Sequence, residues 1–164
     1  MSLWRSWPVR SLSIGYGEYM ATAHGTVDSP LAAEEVFRRV SDFSTTEQWD
    51  PGVIEADRLG EDGEAVELGA KFRVVAAFMK TKSELIYEIT EFTPGKRVVL
   101  RGENATVVSV DEITVEPHGD GSRLNYHADL TLKGPLRLMD PLLGLVFDGI
   151  AKKALAGLTT YLSA

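Results

Sequence analysis

His24, His118 and His127 are the only imidazoles in the sequence, and they are too scattered to suggest a metal-ligand set or a base paired with a nucleophile. His118 falls in a turn and His127 on the polar side of an alternating segment, so both read as surface residues. Cysteine is absent, which removes a thiolate nucleophile, a thiolate metal site and a disulfide framework together. There is no GxSxG, HExxH or Walker loop, and no GxGxxG follows a strand. The sequence therefore calls for no metal and no cofactor, and no catalytic residue is assigned. What remains is hydroxyl, carboxyl and indole chemistry. Tyr87 and Tyr126 fall on the apolar parity of their segments, where each hydroxyl serves a guest's carbonyl or phenol, or else is tied to backbone or water. Asp111 with Arg101 could form a buried pair that orients a substrate, but parity sends Arg101 to the surface and leaves Asp111 undecided. Trp49, opening the stop Trp49-Asp50-Pro51-Gly52, reads as scaffold before ligand contact. Glu55, Asp57, Glu61, Asp62, Glu64 and Glu67 surround a single cation, Arg58. Such a cluster reads as a solvated edge that deters sheet-to-sheet pairing, with a docking site for a basic partner as the alternative; it has no calcium-loop spacing.

The elements that must position these groups follow from periodicity. Small and apolar residues alternate with polar ones from Tyr19 to Val27, as in a half-buried strand. Ser29-Pro30 then opens a short helix carrying Val36, Phe37, Val40 and Phe43 on one face. Ser44-Thr45-Thr46-Glu47 reads as a capping box for a second short helix. Strand signals follow at 53–59, 70–78, 82–92, 97–103, 106–116 and 122–133. The turns between them are too short for crossover helices, so the pairing is antiparallel. Leu124, Tyr126, Ala128, Leu130 and Leu132 share one face of the last strand. In the strand before it, Val108 and Val110 lie on one parity and Ile113 and Val115 on the other, which predicts a β-bulge near Asp111.

After Gly134-Pro135 the period changes to 3.6 and holds through Met139, Leu143, Phe147, Ile150, Ala154 and Leu158. This predicts a terminal helix of about 25 residues, about 37 Å long. Leu138, Leu142 and Leu145 point away from that stripe and need cover from the two short helices, from the N-terminal segment or from a second subunit, which makes a homodimer possible. Asp140, Asp148, Lys152 and Lys153 interrupt any window long enough for a membrane span. Residues 1–18, with Trp4 and Trp7, lack the apolar stretch of a secretory signal and read either as an arm or as an extension ahead of a start at Met20; 19–164 form the domain. The net charge of −7 and pI of about 5.0 argue against nucleic acid as a partner, and a reducing cytoplasm is the default compartment for a chain without cysteine.

The sequence also resembles the START-like (SRPBCC) helix-grip superfamily, in particular its bacterial polyketide cyclase/dehydrase and lipid transport branch. The resemblance runs from about Ala23 to Leu162. It is carried by Val27-Asp28-Ser29-Pro30, Val40-Ser41-Asp42-Phe43, Gln48-Trp49-Asp50-Pro51-Gly52-Val53, Gly69-Ala70-Lys71-Phe72, Tyr87-Glu88-Ile89-Thr90-Glu91-Phe92, Gly121-Ser122-Arg123-Leu124 and Leu132-Lys133-Gly134-Pro135-Leu136. It implies an α+β fold in which a curled seven-stranded antiparallel sheet surrounds a long C-terminal helix, with two short helices between strands 1 and 2. It also implies an internal cavity that binds or carries a small hydrophobic molecule of lipid, polyketide or isoprenoid type. Non-catalytic binding is favoured; the alternative is a polyketide aromatase/cyclase working in the same cavity. The expected ligand-binding wall combines Phe72, Val74 and Phe78 of the third strand with Leu85, Tyr87 and Ile89 of the fourth. Tyr126 and Leu130 of the last strand complete it, with Met139, Leu143, Phe147 and Ile150 of the helix.

Overall fold

The computed structural model describes residues 20–78 and 80–164, with the side chains of all of these except Met20, Phe78 and residues 137–143. The segment 1–18, with Trp4 and Trp7, lies outside the described residues, as do the side chains of Leu138 and Leu142.

Strand β1 spans Met20–Ser29, with Ala21, Gly25 and Val27 buried and Thr22, His24 and Thr26 exposed, as the alternation requires. Helix α1 follows at Ala33–Ser41 and buries Val36, Phe37 and Val40. Glu34 and Glu35 lie in its first turn and Arg38 and Arg39 in its last, complementing the helix dipole. The helix starts later than Ser29-Pro30 suggests, because Ser29 has another task. Its Oγ accepts the Leu31 N–H at 3.1 Å and donates to the Leu162 carbonyl at 2.6 Å, which ties the C-terminus of the chain to β1. A 3₁₀ turn covers Phe43–Gln48. Its cap is Asp42, whose Oδ1 accepts from the Ser44 N–H at 3.1 Å and the Ser44 hydroxyl at 2.5 Å, in place of the expected Ser44–Glu47 box.

Six strands follow without interruption by a helix: β2 (Val53–Leu59), β3 (Lys71–Phe78), β4 (Thr81–Thr93), β5 (Arg97–Glu103), β6 (Val107–His118) and β7 (Gly121–Leu132). The sheet order is β1-β7-β6-β5-β4-β3-β2, antiparallel throughout. The acidic segment therefore lies on and beyond an edge strand, β2, and its charge is met from the next strand. Arg73 of β3 bonds Glu55 and Asp57 at 3.0 Å each, and Glu84 of β4 at 2.7 Å. These bridges are solvent-exposed and contribute little stability individually.

The bulge expected near Asp111 does not form. Strand β6 pairs in unbroken register with β5 from Val108 to Thr114 and with β7 from Val107 to His118. Val107, Ser109, Asp111, Ile113 and Val115 all face inward and are buried. The apparent phase slip arises because two of the inward residues are polar, so the apolar residues alone misstate the parity. Register does shift elsewhere, between Val53 and Glu55 and between Ile89 and Glu91.

After a 3₁₀ turn at Gly134–Met139, helix α2 runs from Asp140 to Tyr161 and packs against β1. No helix among the described residues is long and apolar enough to cross a membrane. The C-terminal end of α2 is held firmly, with Leu158 and Leu162 in the core beside Phe37, Val40 and Leu124. Arg39 reinforces it by donating to the Ala164 carbonyl at 2.9 Å while its guanidinium lies 5.8 Å from the Tyr161 ring centre. Leu145 is 76% exposed, so the two short helices do not cover it. Helix α2 comes closest to the residues before β2 at Gly157, where a Cβ would stand 1.9 Å from the Trp49 carbonyl oxygen.

That approach requires glycine. Gly157→Ala is expected to push α2 off Trp49 and lower stability by about 1–3 kcal/mol in urea unfolding. Gly149→Ala, on the same helix with nothing within 4 Å, should raise stability by up to about 1 kcal/mol. Equal effects of the two substitutions would disprove the tight packing at Gly157.

Candidate functional site

The sheet and α2 do not close on each other everywhere. Gly25 of β1 takes the Leu155 side chain of α2, since a Cβ there would stand 2.2 Å from it, while Ala23 of β1, Ala128 of β7 and Ala151 and Ala154 of α2 border a cavity of about 90 Å³. Phe147, Ile150, Leu155 and Leu158 complete its helical wall, and Trp49 and Asp50, at the end of the first 3₁₀ turn, line it beside Tyr126 and Asp111. The walls are mostly apolar. The polar groups come from three elements only: the Trp49-Asp50 corner, β6 and β7, apart from His24, which is exposed and stacks its ring 6.3 Å from that of His127.

Asp111 is the centre of this polar end. It is 6% exposed and sits mid-strand, paired on both sides. Tyr126 donates its hydroxyl to Asp111 Oδ1 at 2.7 Å and Ser109 donates to Oδ2 at 2.8 Å. The Tyr87 hydroxyl lies close enough to the same carboxyl and to Ser109 to interact with both. Burial pushes the Asp111 carboxyl up from its ordinary value, the three hydroxyls offset part of that rise, and nearby Asp50 adds to it. Burial and the Asp111 charge hold both tyrosine hydroxyls well above their usual range, so at neutral pH they are donors. The Asp50 carboxyl is also raised by burial, against a hydrogen bond from the Gly52 N–H, which reaches Oδ1 at 2.8 Å.

The rings are fixed by packing. Tyr87 meets Phe43 edge to face at 5.2 Å, and Trp49 meets Tyr126 in the same way at 6.2 Å. Gly102 gives Tyr87 its room, since a Cβ there would stand 2.7 Å from the phenol ring. Trp49 is 5% exposed, and its Nε1–H has no hydrogen-bond partner among the described residues.

Of the residues expected to contact a ligand, Tyr126, Phe147 and Ile150 line this cavity. Phe72 and Ile89 lie in the main core. Val74 and Leu85 are buried cross-strand partners, and Leu130 is half-buried; none of these lines the cavity. Tyr87 reaches it through the Asp111 cluster rather than as wall. The side chains of Phe78, Met139 and Leu143 lie outside the described residues. Ser109 and Asp50 are functional candidates that sequence reasoning missed, and Asp111 is one that it could not place. The signal available for Ser109 and Asp111 was parity, since they alternate with the inward Val107, Ile113 and Val115. Arg101 does not pair with Asp111. It is exposed and bridges to Glu103, which also takes Lys133. His118 is exposed at the β6–β7 turn, and His127 lies outside the cavity, 3.1 Å from Asp129. Among the described residues, no three His, Asp or Glu side chains gather as metal ligands.

Residues 20–163 match the family described as polyketide cyclase/dehydrase and lipid transport. Among solved structures, the chain is similar to the Zhui aromatase/cyclase from Streptomyces sp. R1128, with a TM-score of 0.71 at 12% identity over 87% of this chain and 93% of that one. A protein from Thermus thermophilus gives a TM-score of 0.69 at 18% identity, covering 87% and 96%. A START superfamily protein from Mycobacterium smegmatis gives 0.66 at 17%, covering 89% and 97%. At these identities the likeness is one of fold. No curated protein matches the sequence.

Asp111 has a calculable signature. Its folded carboxyl holds a proton more tightly than an unfolded aspartate, whose ordinary value is 3.8. Its contribution therefore favours folding in acid and turns unfavourable as pH rises from about 4 through the raised folded value. Asp111→Asn keeps an acceptor for Tyr126 and is expected to flatten that loss, so its stability relative to the parent improves between pH 4 and pH 7 in urea unfolding. Asp111→Ala leaves buried hydroxyls without an acceptor and should lose about 1–3 kcal/mol at both pH values. A parent and an Asn variant with the same pH slope would show that the carboxyl ionises without penalty.

Proposed function

We infer that this chain, which belongs to the polyketide cyclase/dehydrase and lipid transport family, binds or carries a small hydrophobic molecule of lipid, polyketide or isoprenoid type between its sheet and α2. The observation that carries this reading is the cavity of about 90 Å³ with apolar walls and a hydrogen-bonded carboxyl at one end. A cavity of about 150 Å³ accommodates benzene, so the smaller space described here takes one end of a guest. Phe147, Ile150 and Tyr126 are the wall residues proposed to touch it. A guest that buries about 300 Å² gains about 7 kcal/mol from apolar contact before the entropic cost of association, which corresponds to micromolar affinity at best. The net charge of −7 supports a small molecule rather than nucleic acid as the partner.

One observation favours the aromatase/cyclase alternative. A buried carboxyl with a raised proton affinity, beside two tyrosine hydroxyls, is a group that can move a proton at a bound carbonyl. Binding without turnover is the reading adopted, because the described hydroxyls around Asp111 are committed to it as donors. Unchanged products after incubation with poly-ketone chains are expected; a new cyclised product, lost in Asp111→Asn, would reverse the order of the two readings.

Ala151 lines the cavity and is only half-buried, so it can be enlarged without breaking the core. Ala151→Phe should fill the space and weaken binding of the neutral fluorophore 1-aminoanthracene at least tenfold, with cooperative thermal unfolding retained. Undiminished binding by the folded variant, or no binding by the parent, would overturn the cavity assignment.

A further inference from the structure

Side-chain size changes abruptly where α2 passes β1. The inward positions of β1 are Ala21, Ala23, Gly25 and Val27, and Gly25 alone has no side chain. A glycine inside a strand weakens it and marks a place where another group comes close. That group is Leu155 of α2. A Cβ at position 25 would stand 2.2 Å from Leu155 Cδ1, 2.8 Å from Cδ2 and 3.0 Å from Cγ, so the branched end of the leucine rests on the glycine backbone. Both residues line the cavity of about 90 Å³. Leu155 is half-buried, and β1 is an edge strand, so the leucine bounds the cavity where α2 passes the margin of the sheet.

The two leucines of the helical wall differ in what holds them. Leu158 is 1% exposed and belongs to the main core, whereas Leu155 packs against the outside of that core. Shortening Leu158 would therefore cost stability directly. Leu155 owes its place to the absence of a side chain at Gly25, and a methyl group there has to displace it. Because the leucine already borders the cavity, its displacement takes up cavity space. Removing its three outer carbons enlarges the cavity instead, since the structure around a large-to-small change relaxes only in part.

We propose that Leu155, seated on Gly25, sets the size of guest that the cavity admits: a slim apolar end enters beside the alanines, and a broader one is refused by the leucine. This inference rests on the ligand-binding reading above and adds the class of guest, elongated molecules with one narrow apolar end.

The test compares two neutral aromatic amines by fluorescence titration of the full chain, the narrow 1-aminoanthracene and the broader 1-aminopyrene, with thermal unfolding to verify that each variant is folded. The parent is expected to bind 1-aminoanthracene at least tenfold more tightly than 1-aminopyrene. Leu155→Ala should reduce that preference at least threefold by admitting the broader probe. Gly25→Ala should weaken 1-aminoanthracene binding at least fivefold, and adding Leu155→Ala to it should restore the affinity, a coupling that only a shared space between the two side chains produces. If Gly25→Ala alone does not fold, the double variant still decides, because it lacks the clash and is expected to show the widened preference of Leu155→Ala. An unchanged ratio of the two affinities in folded Leu155→Ala would overturn the size limit while leaving the ligand-binding reading intact. Failure of both probes to bind the parent would overturn that reading and this inference with it.

Discussion

A carboxyl group sits in the middle of β6, paired through the strands on both sides and only 6% exposed. Leaving Asp111 there without partners would cost several kcal/mol, and much of the surrounding arrangement answers to that constraint. Ser109, two residues away, shares its face because side chains alternate along a strand. Tyr126 comes from β7, and Tyr87 reaches across from β4 over a strand whose Gly102 offers no side chain to block it. The tyrosines in turn are set by Phe43 and Trp49 from the segment between β1 and β2. One polar residue thus links the sheet and the helical connection into a single geometry.

The helix is fixed by a different balance. Its C-terminal end is anchored by Leu158 and Leu162, by the Ser29 hydroxyl on the Leu162 carbonyl and by Arg39. Gly157 lets it approach the Trp49 backbone as closely as atoms allow. Earlier along the helix, Leu155 fills the space left by Gly25 of β1, while the small side chains of Ala151 and Ala154 border the cavity. The cavity is therefore a consequence of side-chain size along a nearly rigid rod: tight contact at one end, with the Asp111 cluster preventing collapse at the other, since apolar side chains closing over that carboxyl would remove what polar surroundings it has.

Most of the architecture was legible in the sequence because its signals were redundant. β2 and β5 fall on the residues that alternation and turn chemistry select, and the change of period at Gly134 marks the helical C-terminus. The expectations that failed did so for one physical reason, that a polar residue can serve the interior. Ser109 and Asp111 broke the apolar alternation of β6 and suggested a bulge, where the strand is regular and its inward face is polar. Ser29 looked like a helix cap and instead binds the far end of the chain. The expected ligand wall rested on large apolar residues of β3, β4, β7 and α2, of which Phe72 and Ile89 lie in the main core and Tyr126, Phe147 and Ile150 line the cavity. Ala23, Ala128, Ala151 and Ala154 also border the cavity, and side chains this small carry little hydrophobic signal.

These same failures locate the site. Folding alone would be served by an apolar residue at position 111, which would need no hydroxyls and no glycine to accommodate a phenol. A buried acid with raised proton affinity and a second acid beside it are each unfavourable to the empty fold, and both line one cavity. Independent accidents of packing would scatter such liabilities through the core. Their convergence on one cavity beside α2 supports the proposal that this cavity binds a guest.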